Sequence, residues 1–96
     1  MNYNFEWDPI KASENYRKHG LRFEQAATVF MDPKALSVYD TEHSDKEERW
    51  VTLGLSAGGP ILIVHHTFED INDNNIRIRI FSTRKAGKHQ IEQYME

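Results

Sequence analysis

The stretch Ile76-Arg77-Ile78-Arg79-Ile80-Phe81-Ser82-Thr83-Arg84-Lys85 decides how the rest of the chain is read. From Ile76 to Ile80 isoleucine and arginine alternate, and a period of two sends the isoleucines to one face of a sheet and the arginines to the other. One face is expected to build a core while the other carries fixed positive charge. Ser82 and Thr83 then offer a helix cap, which places Arg84, Lys85 and Lys88 in the first turn of a helix running towards Tyr94. Cations there oppose the helix macrodipole by up to about 1 kcal/mol each, an arrangement that an anionic ligand would relieve. The plainer alternative is an amphipathic edge strand with a solvated arginine row.

Upstream, the pattern supplies the partners such a strand needs. Tyr3-Asn4-Phe5-Glu6-Trp7 alternates aromatic and polar residues and reads as a short strand. Asp8-Pro9 opens a helix, with Asp8 as N-cap and Pro9 at the first position, and Gly20 closes it. Phe23, Ala26, Ala27 and Phe30 line one face of a second helix that ends at Asp32-Pro33. Ala35 to Tyr39 reads as a strand, followed by the polar loop Asp40 to Glu48. Arg49 to Ser56 reads as another, with Arg49, Val51, Leu53 and Leu55 on one face and Trp50, Thr52, Gly54 and Ser56 on the other. Ala57-Gly58-Gly59-Pro60 is a hairpin signal, and the apolar run Ile61 to Phe68 is a central strand. The polar segment Glu69 to Asn75 is a second hairpin connection. Helices gathered apart from an antiparallel sheet make this an α+β fold in a single domain, residues 1–96.

The 96 residues suffice for one modest core, and 39% of them are hydrophobic. With no cysteine, neither a disulfide framework nor a thiolate metal site is available, which suits the cytoplasm. The N-terminus lacks the basic and apolar regions of a signal peptide, and the run Pro60 to Val64 is far too short to span a membrane. A net charge of −3 and a pI near 5.9 argue against non-specific nucleic-acid binding, which rests on phosphate neutralisation. The charge is segregated, however. Acids gather at Asp40 to Glu48 and Glu69 to Asp73, whereas Arg77 to Lys88 holds five of the twelve cations and no acid. Such a division permits a basic site on an acidic protein.

Three groups could carry chemistry. Arg77, Arg79, Arg84 and Lys85, with Arg49 as a cross-strand neighbour, could grip phosphate, since arginine forks bind it bidentately at any relevant pH. His65 and His66 are adjacent on a strand and point to opposite faces, so at most one can serve a site as acid or base. Tyr94 and Glu92 sit on the last helix, where Tyr94 shares an apolar stripe with Ile91 and Met95. His43, His65, His66 and the acids show no metal-ligand spacing, and no nucleotide-cofactor motif is present, so no metal or cofactor is expected.

Phe5-Glu6-Trp7-Asp8, Lys11-Ala12, Asn15, Lys18-His19-Gly20, Phe23-Glu24, Ala26 and Val29-Phe30 before Asp32-Pro33 form an ordered series. It continues through Asp40, His43, Glu48-Arg49, Gly54, Ser56, His66-Thr67, Arg79 to Ala86, Glu92 and Tyr94. This series, covering nearly the whole chain, resembles the BrnT-type toxins. The resemblance implies a RelE-like fold, with N-terminal helices and a C-terminal helix around a roughly four-stranded antiparallel sheet. It implies a type II toxin acting in the cytoplasm as a metal-independent endoribonuclease, in which a ribose 2′-hydroxyl attacks the adjacent phosphate. The implied partners are RNA and a cognate BrnA-type, DNA-binding antitoxin, with DNA met only through that antitoxin. Carried over by position, Arg79 and Arg84 are the phosphate-binding candidates and His66 the proton-transfer candidate, with Arg49, Arg77, Lys85 and Tyr94 assisting in substrate binding. Family members often carry an arginine shortly after the His-Thr pair; here Phe68-Glu69-Asp70 stands there, and Arg77 would have to take its place. A catalytically weak homologue serving as a binding module in an antitoxin complex on DNA is the alternative expectation.

Overall fold

In the computed structural model, which describes residues 1–96, the arginine stretch lies within β6, Asn75–Lys85, the longest strand. It is preceded by β1 (Asn2–Glu6), α1 (Pro9–His19), α2 (Phe23–Ala27) with a 3-10 turn at Thr28–Met31, and β2 (Leu36–Tyr39). Then follow β3 (Trp50–Leu55), β4 (Ile61–His66) and β5 (Glu69–Asn72), and α3 (Lys88–Met95) closes the chain. The strands form a six-stranded sheet in the order β1-β6-β4-β3-β2, with β5 beside β6. All neighbours run antiparallel except β1 and β6, which are parallel with Phe5 opposite Ile78 and Glu6 opposite Arg79.

The α+β architecture and the three helices agree with the sequence reading, and the sheet is larger than the roughly four strands expected. Two strands enlarge it: β1 joins in parallel with β6, and β5 comes from the polar connection Glu69 to Asn75, which tightens to a turn between Asn72 and Asn75. The second difference concerns Ser82 to Lys85. These residues do not cap or begin a helix; they continue β6, and α3 starts only after Gly87. Leu62 to His65 of β4 offer a ladder partner out to Lys85, and the Thr83 hydroxyl donates to the Ile63 carbonyl at 3.0 Å. Ladder pairing outweighs the local capping preference, so Arg84 and Lys85 oppose no helix dipole.

The isoleucine face of β6 does build the core. Ile78 and Ile80 pack with Leu62 and Val64 against Leu21, Phe23, Ala26 and Val29 of the N-terminal helical layer. Helix α1 has the expected ends: the Asp8 carboxylate accepts from the Ile10 N–H at 2.8 Å, and Gly20 takes φ 69°. Asn15 ties this helix to the sheet, since its side-chain oxygen accepts from the Thr83 N–H at 3.0 Å and its amide donates to the Leu21 carbonyl. Gly54 lets the 3-10 turn approach β3, because a Cβ there would lie 2.7 Å from Val29 Cγ1. The opposite face of the sheet is only partly covered, by α3, which buries none of its own side chains. No helix is long and apolar enough to cross a membrane.

Candidate functional site

Strand pairing aligns Val51, His65 and Ser82 across β3, β4 and β6, and Leu53, Ile63 and Arg84 in the next row. These residues face the side of the sheet away from α1 and α2. One concavity on this side, of about 220 Å³, is lined by Asp40, His43, Arg49, His65, Phe81 and Ser82. Below it a groove towards α3 is lined by Val51, Leu53, Ile63, His65 and Arg84, with Gln90 and Gln93 from the helix. His65 belongs to both and joins them.

The shape of this face depends on a bulge. His65 pairs with Ser82 but His66 pairs with Ile80, so Phe81 is an extra residue on β6. Bulges re-aim side chains. Here the extra residue brings Phe81 and Ser82 to the same concavity, and the Arg49 guanidinium lies 4.3 Å from the Phe81 ring centre. A cation over an aromatic face is held in place more firmly than one in open solvent.

Two imidazoles border the concavity, each held differently. His43 is oriented by Asp40, whose Oδ2 is 3.0 Å from its Nδ1. That contact fixes the ring so that Nε2 is the nitrogen left for chemistry. Burial holds the His65 imidazole below the ordinary histidine range, and the cations of Arg84, His43 and Arg49 push the same way against the opposing pull of Asp40. His65 is therefore neutral near pH 7 and able to accept a proton.

The expected arginines divide into two sets. Arg77 pairs with Glu69 at 2.6 Å and Glu6 at 3.5 Å, and Arg79 with Glu47 at 3.3 Å and Glu6 at 3.4 Å. Glu47 also reaches Arg49 at 3.6 Å, so three glutamates neutralise three arginines along one edge of the face. Arg84 has no carboxylate within 4 Å, and its guanidinium opens on the groove beside His65. Lys85, also unpaired, is exposed at the end of β6, and alternation turns it away from Arg84.

Neither His66 nor Tyr94 lines the concavity or its groove. His66 is fully buried; its Nδ1–H donates to the Thr67 carbonyl at 3.0 Å and its Nε2 accepts from the Thr52 hydroxyl at 2.6 Å. Burial depresses its pKa to about 4, against a small upward pull from the Thr67 carbonyl, so it is a neutral core residue with both nitrogens occupied. This corrects the expectation that placed His66 at the substrate: strand alternation turned it inward. Tyr94 donates a 2.6 Å hydrogen bond to Asp32, holding α3 against the turn that precedes β2. It lines a surface recess with Pro33, Lys34 and Leu36 that adjoins the groove, the two sharing Leu36, Gln93 and Glu96, while Arg77 and Arg79 line neither.

No three His, Cys, Asp or Glu side chains converge as a metal site would require. The sequence left open which of His65 and His66 faces outward, and it did not single out the Asp40–His43 pair or Phe81. A trace of the last was visible, since Phe81-Ser82 interrupts the isoleucine–arginine alternation. The three-residue spacing of Asp40 and His43 was visible too, but not that their loop folds back beside β4.

Residues 7–90 match a family described as ribonuclease toxin, BrnT, of type II toxin–antitoxin systems. The 1.1 Å crystal structure of the Brucella abortus ribonuclease toxin BrnT is similar with a TM-score of 0.59, covering 92% of this chain and 100% of that one at 22% identity. That likeness is one of fold, and it agrees with the α+β, RelE-like plan. No curated protein matches the chain significantly.

Proposed function

The chain belongs to the BrnT ribonuclease-toxin family of type II toxin–antitoxin systems, and from that premise we propose that it is a metal-independent endoribonuclease whose centre is the concavity around His65. The observation that carries this reading is the meeting of a neutral imidazole, a carboxylate-oriented imidazole and Arg49 in one open hollow, with Arg84 on the adjoining groove that shares His65.

In the proposed reaction the scissile phosphate binds Arg84 and Arg49. His65 takes the proton of the ribose 2′-hydroxyl as its oxygen attacks phosphorus. The bond from phosphorus to the 5′-oxygen breaks, and protonated His43 supplies the proton that the leaving oxygen needs. The products are a 2′,3′-cyclic phosphate and a free 5′-hydroxyl, so atoms and charge balance without a metal. Positioned acid–base groups of this kind contribute about 10²- to 10⁴-fold each, and fixed cations add stabilisation of the charge developing on phosphate. Arg79 and Arg77 would join the phosphate backbone by exchanging their glutamates for it, with Lys85 as an outlying cation. The cellular partner is an antitoxin of the BrnA type that binds DNA, and the setting is the cytoplasm.

A second reading has its own support. With Glu6, Glu47 and Glu69 occupying Arg77, Arg79 and Arg49, the chain already satisfies much of its basic edge. A weak or inactive toxin that acts as a protein module in an antitoxin complex on DNA would look the same there. Incubating the purified chain with single-stranded RNA in EDTA separates the two. Cleavage leaving cyclic phosphate ends, abolished in His65→Ala, supports the enzyme; a folded wild type that leaves RNA intact supports the module.

A further inference from the structure

On the other side of Phe81 lies a second hollow, between α1 and β6, lined by Lys11, Lys18, His19, Glu14, Phe81 and Ser82 with the edge of Asn15. Phe81 and Ser82 border both hollows, so the bulge residue is the ridge between them. Lys11 Nζ stands 5.2 Å from the Phe81 ring centre, on the same ring that carries Arg49. One ring thus steadies a cation from each hollow.

We propose that this second hollow is a phosphate subsite for the nucleotide adjoining the cleaved bond of a single-stranded RNA, so that the strand crosses the Phe81 ridge with one phosphate on either side. The inference rests on the ribonuclease reading above.

Lys18 and His19 close α1 at its C-terminal end, where the helix dipole already favours cations. Lys11 has no such explanation. It lies in the first turn of α1, where a cation opposes the dipole and no acid is present, and no carboxylate lies within 4 Å of it. Glu14 is the single acid of the hollow and pairs with neither lysine within that distance. The Ser82 hydroxyl makes no hydrogen bond inside the protein and is free to donate to a phosphate oxygen. Two lysines, a histidine and a free hydroxyl in one hollow are the elements by which the backbone of a single strand is held, cations along it and a donor at a phosphate oxygen.

The experiment measures affinity against KCl concentration for a fully 2′-O-methylated RNA hexanucleotide and a dinucleotide, neither of which can be cleaved. For single strands the slope of log K on log salt changes by about 0.7 for each phosphate contact. In Lys11→Ala/Lys18→Ala the hexanucleotide slope is expected to flatten by about 0.7 while dinucleotide affinity stays at the wild-type value; Lys34→Ala, distant from both hollows, leaves both unchanged. An unchanged slope in the double variant, or equal weakening of both ligands, overturns the subsite while wild-type cleavage leaves the ribonuclease reading standing. Flattening by Lys34→Ala as well reduces the effect to general charge and overturns it too. A wild type that neither binds the hexanucleotide nor cleaves RNA removes both readings together.

Discussion

The Thr52 hydroxyl and His66 Nε2 lie 2.6 Å apart in the interior, in a relay that begins at Ser37 and ends at the Thr67 carbonyl. Ser37 Oγ is 2.7 Å from Thr52 Oγ1, and with Nδ1–H donating to Thr67, the hydroxyl must donate to Nε2. The relay spans β2, β3 and β4, and it requires an uncharged imidazole.

That requirement makes stability depend on acid. The folded pKa of His66 is about 4 against an ordinary 6.5, so the unfolded chain binds more protons between these values and stability rises with pH across that window. Moving from pH 7 to pH 5 should cost about 2 kcal/mol from this group alone. Urea unfolding at the two pH values checks it. His66→Gln should be less stable at pH 7 and lose this part of the pH dependence.

In the proposed mechanism His65 sets the acid limb of the reaction. As the base it must be neutral, so cleavage should fall as pH drops through its folded pKa, which burial and then the neighbouring cations hold below 6.5. Removing the cation of Arg84 relieves part of that depression. In Arg84→Ala the limb should move to higher pH, besides the loss of rate, and an unmoved limb would assign the titration to another group.

Glu47 bridges Arg49 and Arg79 at 3.6 and 3.3 Å. Exposed ion pairs contribute little to stability, so Glu47→Gln should unfold within about 0.5 kcal/mol of the wild type. Its two arginines gain freedom to meet phosphate, and RNA affinity at low salt should rise several-fold with a steeper salt dependence. Fluorescence titration of a single-stranded RNA at two salt concentrations measures both.

The hydroxyl of Tyr94 anchors α3 to Asp32, whose carboxylate also accepts from the Leu55 and Lys34 N–H groups. Desolvation would raise that carboxyl, but these bonds hold it below the ordinary range, while the tyrosine is raised by the same contact. Tyr94→Phe should therefore speed amide exchange through α3 and leave RNA cleavage near the wild-type rate. A large loss of cleavage with α3 still protected would return Tyr94 to the substrate.

What the chain determined by itself was local. Asp8-Pro9 and Gly20 bound α1 because capping and left-handed backbone are matters of a few neighbouring residues, and alternation assigned the faces of β3 and of Ile76 to Ile80 for the same reason. The ordered motifs were likewise enough to suggest the family. The tertiary structure decided whatever depended on a partner distant in sequence. Ser82 to Lys85 became strand because β4 lay ready to pair with them, although their composition suited a helix start. The same pairing set the bulge at Phe81 and turned His65 outward and His66 into the core, a choice that one residue of register reverses. Which arginines are neutralised followed from β1, β5 and the loop before β3 bringing Glu6, Glu69 and Glu47 to them. Charge along a strand can be read from one segment, but the field that a substrate meets is the sum over all the segments folded around it.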